Sequence, residues 1–204
     1  MLVIVNYGMG NLRSVAKAFE RIGIRVTISS SPEVIRDAEK LILPGVGHFT
    51  YGMERLKELG LTEVLNEKVL KQKTPILGIC LGMQLMTRQS EEGDAAGFGW
   101  IDALTVKFPP EVNGNKIKVP HIGWNNVEIN HPHPVCNGIE KDDLFYFVHS
   151  YYVSCSNPED SMLRSTYGIS FDSGISHENI IGVQFHPEKS HKAGMEILRR
   201  FYER

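Results

Sequence analysis

Three short stretches of the 204-residue sequence carry residue types that could act together on a carbonyl group. The first is Gly78-Ile79-Cys80-Leu81-Gly82, a cysteine framed by glycines directly after an aliphatic run. That spacing suits a nucleophile elbow, a tight strand-to-helix turn in which a Cβ at either flank would strike the returning backbone. A helix starting after Cys80 would turn unpaired N–H groups toward its sulfur, and the Leu81 N–H would face an oxyanion formed during attack. These residues alone leave open a structural cysteine, since cysteine is among the most buried residue types.

The second stretch, Val183-Gln184-Phe185-His186-Pro187-Glu188, offers a base. His186 could take the thiol proton and hand it to a leaving amine, with Glu188 fixing the ring's orientation and tautomer. Taken alone, His-Pro-Glu is more often a turn with surface residues. The third, Leu43-Pro44-Gly45-Val46-Gly47, is a glycine loop after a strand, able to present backbone N–H groups to a negative oxygen. It matches neither the phosphate-binding G-x-x-x-x-G-K pattern nor G-x-G-x-x-G, so nucleotide binding has no support. His131, His133 and Cys136 lie close together, but prolines interrupt them and no second cluster completes a shell, so a loop without metal is expected.

These groups need a scaffold that delivers strand ends to one edge. Residues 2–5 are aliphatic and predict a buried strand. Leu12, Val15, Ala16 and Phe19 recur at helical spacing before Gly23, and residues 24–28 predict the next strand, which makes a parallel, right-handed crossover unit. A strand then enters the turn at Pro44, residues 53–72 read as mostly helical, and residues 75–79 form a strand leading to Cys80 and a helix to about Gln89. Beyond Gly93, strands are expected within 100–108, 124–129, 144–155, 162–167 and 179–185, as a mixed or antiparallel extension. A closing helix capped by Ser190 packs Ala193, Ile197, Leu198 and Phe201 on the sheet. The expected class is α/β, in one domain over residues 1–204.

A composition of 42% hydrophobic and 23% charged residues is that of a folded globular chain, and a net charge of −2 with interspersed signs argues against nucleic acid or a membrane surface as partner. The amino terminus has neither the basic leader nor the long apolar core of a signal peptide, so a cytoplasmic location is expected. Cys80, Cys136 and Cys155 form no disulfide framework and are expected as thiols. No cofactor is called for.

Together, Gly78–Gln84, Val183–Ser190 and Leu43–Gly47 resemble the motifs of the class I, or triad, glutamine amidotransferases. Residues 6–15, 119–125 and 146–152 are similar to the glutaminase subunits of imidazole glycerol phosphate synthase. The resemblance spans nearly the whole chain and implies a flavodoxin-like, three-layer fold with a central, mostly parallel sheet and an antiparallel extension. It implies hydrolysis of glutamine to glutamate and ammonia through a thioester on Cys80, with His186 as general acid/base and Glu188 as its orienting carboxylate. Val46, Gly47 and Leu81 would form the oxyanion hole, and Gln84, His149, Ser150 and Tyr151 would recognise L-glutamine.

The same resemblance implies a heterodimer with a separate (β/α)8 cyclase that uses the ammonia to form imidazole glycerol phosphate and AICAR in histidine biosynthesis. Tyr7, Met9 and Asn11 are expected on part of the docking face, although the loop's glycines and exposed aromatic would also suit an ordinary active-site rim. His48, Trp100 and Ile101 resemble instead a variant branch that feeds a sugar-nucleotide amidotransferase in surface-polysaccharide synthesis. Two other readings stand beside these: a free-standing cysteine hydrolase, active without a partner, and a non-catalytic scaffold whose Cys80 would resist a glutamine-analogue electrophile.

Overall fold

The computed structural model describes residues 1–204. Its first half alternates strands and helices: β1 (Leu2–Val5), α1 (Leu12–Arg21), β2 (Val26–Ser29), α2 (Pro32–Arg36), β3 (Lys40–Gly45) and α3 (Phe49–Glu58). Then come α4 (Leu61–Asn66), β4 (Ile76–Cys80) and α5 (Leu81–Leu85). Short strands follow as β5 (Gln89–Ser90), β6 (Ala95–Ala96), β7 (Ala103–Lys107), β8 (Glu111–Val112), β9 (Asn115–Lys116), β10 (His121–Asn125) and β11 (Glu128–Ile129). The chain closes with β12 (Phe145–His149), β13 (Tyr151–Cys155), β14 (Ser161–Tyr167), β15 (Ile169–His177), β16 (Ile180–Val183) and α6 (His191–Glu203).

Strands β2, β1, β3, β4 and β16 lie side by side and parallel, and β15, β13 and β7 continue the same sheet mostly antiparallel. Both faces of the inner strands β1, β3, β4 and β16 are covered, which is why they read as nearly unbroken apolar runs, whereas edge strand β2 stays partly exposed. On one face Leu2 and Ile4 meet Phe19 of α1 and Ile197, Leu198 and Phe201 of α6. On the other, Val3, Val5 and Leu41 meet Leu56, Leu61, Leu65 and Met83. Alternation along β1 sends its side chains to opposite layers.

The structure departs from the sequence expectations at several points. Residues 53–72 are mostly helical, as expected, but in pieces, because Gly60 adopts a left-handed φ of +67° between α3 and α4, and Glu67–Lys71 then widens into a π-helical turn. Helix α3 starts earlier, at Phe49, whose N–H donates to Glu92 Oε2 at 2.7 Å, a cap supplied from far along the chain. Helix α2 was not expected, although Ser31 followed by Pro32 carries its signal: Ser31 Oγ accepts from Val34 N. Helix α5 stops at Leu85 rather than near Gln89, since the N–H groups of Phe98 and Trp100 occupy the Leu85 and Met86 carbonyls.

The aromatic run at 144–155 is two strands. It breaks at Ser150, so that β12 pairs with β10 in a separate ribbon while β13 joins the main sheet. Ser190 stands at the head of α6 without capping it; its hydroxyl donates to His186 O at 2.6 Å and accepts from Tyr146 N at 3.0 Å. Tyr7 and Met9 are buried, so the loop after β1 presents no exposed aromatic, and Asn11 instead caps α1 by accepting from Ser14 N.

Candidate active site

Strand β4 ends in Cys80, whose φ of +54° and ψ of −112° are rare for a residue with a side chain and cost roughly 1–3 kcal/mol. The turn closes only because its flanks lack a Cβ. One placed on Gly82 would lie 1.7 Å from Leu43 O, and one on Gly78 would lie 2.7 Å from Met83 N. Gly45 pairs with Cys80 across β3 and β4, which brings the glycine loop beside the sulfur, and Gly47 takes a φ of +107°.

Strand β16 is the parallel neighbour of β4 and leads directly to His186. The ring is 2% exposed, and its Nδ1 lies 2.8 Å from Glu188 Oε1, itself buried. Its Nε2 is buried and makes no hydrogen bond. Burial opposes charging of the ring, but the adjacent Cys80 sulfur and the Glu188 carboxylate outweigh it and raise the pKa to about 10. A thiol on a strained turn, an imidazole with a free nitrogen and a carboxylate behind it can form and cleave an acyl-sulfur bond.

A cavity of about 370 Å³ opens onto Cys80. Val46, Gly47, Leu81, Gln84, His149, Ser150 and Tyr151 all line it, so the structure brings these sequence-predicted residues into one place; His186, which adjoins Cys80, and Glu188 lie outside the lining. Three further wall residues, Glu92, Pro120 and Val148, escaped sequence reasoning. Glu92 lies in an irregular loop and left no local signal. Gln184 was missed as well: its Nε2 donates to Cys80 Sγ at 3.7 Å and its Oε1 accepts from Gln84 Nε2 at 3.0 Å. A signal for it existed, since Gln184 stands two residues before His186 and therefore faces the same side.

The sequence matches the family described as Glutamine amidotransferase class-I over residues 3–204. The chain belongs to the class-I glutamine amidotransferases. It is 49% identical to imidazole glycerol phosphate synthase subunit HisH 2 of Methanococcus maripaludis, over 98% of each chain. It is 45% identical to the subunit of the same name from Pseudomonas aeruginosa, over 100% of this chain and 99% of that one. Among solved structures, PurLQS from Thermotoga maritima superposes with a TM-score of 0.71 at 18% identity, covering 99% of this chain and 97% of that one, a likeness of fold.

Within this amidotransferase, His149 contributes differently from the other wall residues. Its Nδ1 lies 2.8 Å from Tyr151 O and its Nε2 2.9 Å from His121 Nδ1, so neither ring nitrogen is left for a ligand. His133 Nδ1 accepts from Val135 N in a short turn, burial pushes the Cys136 thiol up to about 12, and no three ligating side chains converge anywhere. No helix is long and apolar enough to cross a membrane.

Proposed function

We propose that this amidotransferase is the glutaminase subunit of a two-subunit imidazole glycerol phosphate synthase, passing ammonia to a separate (β/α)8 cyclase in histidine biosynthesis. The observation that carries the chemistry is the 2.8 Å contact between His186 and Glu188, with the free Nε2 beside Cys80 at the mouth of the cavity. With the proton already held on His186 Nε2, whose pKa is raised to about 10, the Cys80 sulfur attacks the amide carbon of glutamine. Negative charge gathers on the carbonyl oxygen, which the Leu81 N–H and the Val46–Gly47 peptide receive. The tetrahedral intermediate collapses as His186 returns the proton to the nitrogen, ammonia leaves, and the acyl group stays on sulfur. Water, deprotonated by His186, then attacks the thioester to give glutamate and free thiol.

The wall residues suit an amino acid. Glu92 offers a carboxylate to the α-ammonium of glutamine, and Ser150 and Tyr151 offer backbone and hydroxyl partners. Docking to a cyclase is supported by the β10–β12 ribbon, where Ile122, Trp124 and nearby Leu144 are about half exposed.

The second reading is delivery to a sugar-nucleotide amidotransferase for surface polysaccharide, the acceptor of the variant branch that His48, Trp100 and Ile101 resemble. The test is glutamate release from glutamine by the chain alone, with the imidazole-forming barrel and its nucleotide ligand, and with a sugar-modifying partner, using Cys80→Ala as the blank. Stimulation by the imidazole-forming barrel supports the first reading, and response only to the sugar-modifying partner moves the acceptor. Full activity of the isolated chain would overturn both in favour of a free-standing hydrolase.

A further inference from the structure

His121 is buried, lies outside the cavity and has no part in the chemistry above. We propose that it is a positioning residue for glutamine binding: it locks His149 in one tautomer, and through His149 pins the Tyr151 carbonyl and the cavity wall at Ser150 and Tyr151. The inference rests on the glutaminase reading for what the cavity holds.

The protons in this chain of groups have one consistent arrangement. A carbonyl only accepts, so at 2.8 Å from Tyr151 O the hydrogen sits on His149 Nδ1. Burial draws the pKa of His149 down to about 3 and that of His121 to about 4, so both rings are neutral. His149 Nε2 therefore carries a lone pair and accepts from His121 Nδ1–H at 2.9 Å. His121 Nε2 in turn accepts, from Asn125 Nδ2 at 3.5 Å. The orientation of the Asn125 amide is set independently, because its Oδ1 accepts from Asn126 N and its Nδ2 donates to Thr166 O, both at 2.9 Å.

Every hydrogen along the relay points toward the cavity. It ends on Tyr151 O, which also accepts from Gln84 Nε2 at 3.0 Å, so one carbonyl joins the two side chains that flank the binding wall. The His121 ring is held in plane between Phe147, with centroids 4.9 Å apart, and Tyr167, at 4.0 Å. The residue thus has two separable properties, a stacked ring and a directed N–H.

Two substitutions divide them. His121→Phe keeps the stack and deletes the donor, whereas His121→Asn gives up the stack but carries an amide N–H close to where Nδ1 stood. With the activating partner present, His121→Phe is expected to raise the KM for glutamine roughly five- to tenfold, the span of one lost hydrogen bond, with little change in kcat. His121→Asn should recover most of that loss. A wild-type KM in His121→Phe, or a poorer KM in His121→Asn than in His121→Phe, would show that only packing matters and overturn the proposal.

A measurement on the unmodified chain needs neither variant nor substrate. In the nitrogen-15 spectrum of labelled histidines, His149 and His121 should both appear as neutral Nδ1–H tautomers between about pH 6 and 8. An Nε2–H tautomer at His149 would overturn the relay. Absence of wild-type turnover would instead sink the glutaminase reading and leave the tautomers standing.

Discussion

Gln184 Nε2 donates to Cys80 Sγ at 3.7 Å from a position with no solvent exposure, and Gln184 Oε1 is itself held by Gln84. A donor to sulfur gains strength as negative charge builds there. Gln184→Leu, similar in size, should slow covalent labelling of Cys80 by a glutamine-analogue electrophile roughly tenfold or more, followed by intact-protein mass spectrometry. An unchanged labelling rate would mean that the sulfur owes nothing to this amide.

Within the triad the losses should be graded. Cys80→Ala should abolish glutamine-driven turnover and leave ammonia-driven synthesis by the partner intact, since only the acyl-sulfur step is lost. His186→Ala should lower glutamine turnover by roughly 10³-fold or more, and Glu188→Gln by less, because an amide still bonds to the buried ring. Equal losses in steady-state assays would give Glu188 more than an orienting part.

Glu92 has two tasks that substitution can separate. Its Oε2 accepts from Phe49 N at the start of α3, and it also lines the cavity. Glu92→Gln keeps an acceptor for the helix and removes the charge. The expected result is a KM for glutamine raised about tenfold with a nearly unchanged melting temperature. A large drop in melting temperature would place the residue's weight on the fold.

Stability should decline on both sides of neutrality. Burial lowers the pKa values of His121 and His149 to about 4 and about 3, and that of His133, with help from Arg204, to about 4. The unfolded chain therefore binds more protons below about pH 6.5, and stability present above that value falls as pH drops, by at most about 1.4 kcal/mol per ring per pH unit. For His186 the sign is opposite: its pKa is raised to about 10, so its contribution is full below about pH 6.5 and is lost as pH rises through 10. Urea midpoints at pH 5, 7 and 9.5 would test this, and His121→Phe should flatten the acid limb; an identical slope in wild type would contradict a neutral His121.

Tyr7 is fully buried, its hydroxyl has no hydrogen-bond partner, and a Cβ on Gly45 would lie 2.3 Å from that oxygen. An orphaned hydroxyl is expensive, so Tyr7→Phe should stabilise the chain by about 1 kcal/mol in chemical denaturation. A loss of stability would reveal a partner for this oxygen.

How far the sequence could be read follows from the range of the forces involved. The inner parallel strands were legible because burial on both faces leaves nearly unbroken apolar runs, and Cys80 was legible because the glycines at 78 and 82 have a steric reason to be there. Helix α3 was misjudged at its start because its cap, Glu92, arrives from a distant loop. The break at Ser150 was hidden since aromatic residues run through both strands and only their partners differ. Tyr7 looked like a surface aromatic in a glycine loop, and its burial depends on β3 passing over it. The relay through His121 depends on tertiary pairing of β10 with β12, which no local pattern encodes.

Strands β4 and β16 stand in register, Ile79 opposite Val183, so the thiol and the amide that touches it occupy neighbouring rungs although 104 positions separate them along the chain. Surface loops of the intervening polypeptide, such as the hairpin at 111–116, can lengthen or shorten without moving either group. One residue added to or removed from either strand would rotate sulfur or imidazole to the opposite face of the sheet. Insertions in this chain should therefore be tolerated in the hairpin at 111–116 and lethal to activity anywhere in 76–80 or 180–186, a map that a library of single-codon insertions would draw directly.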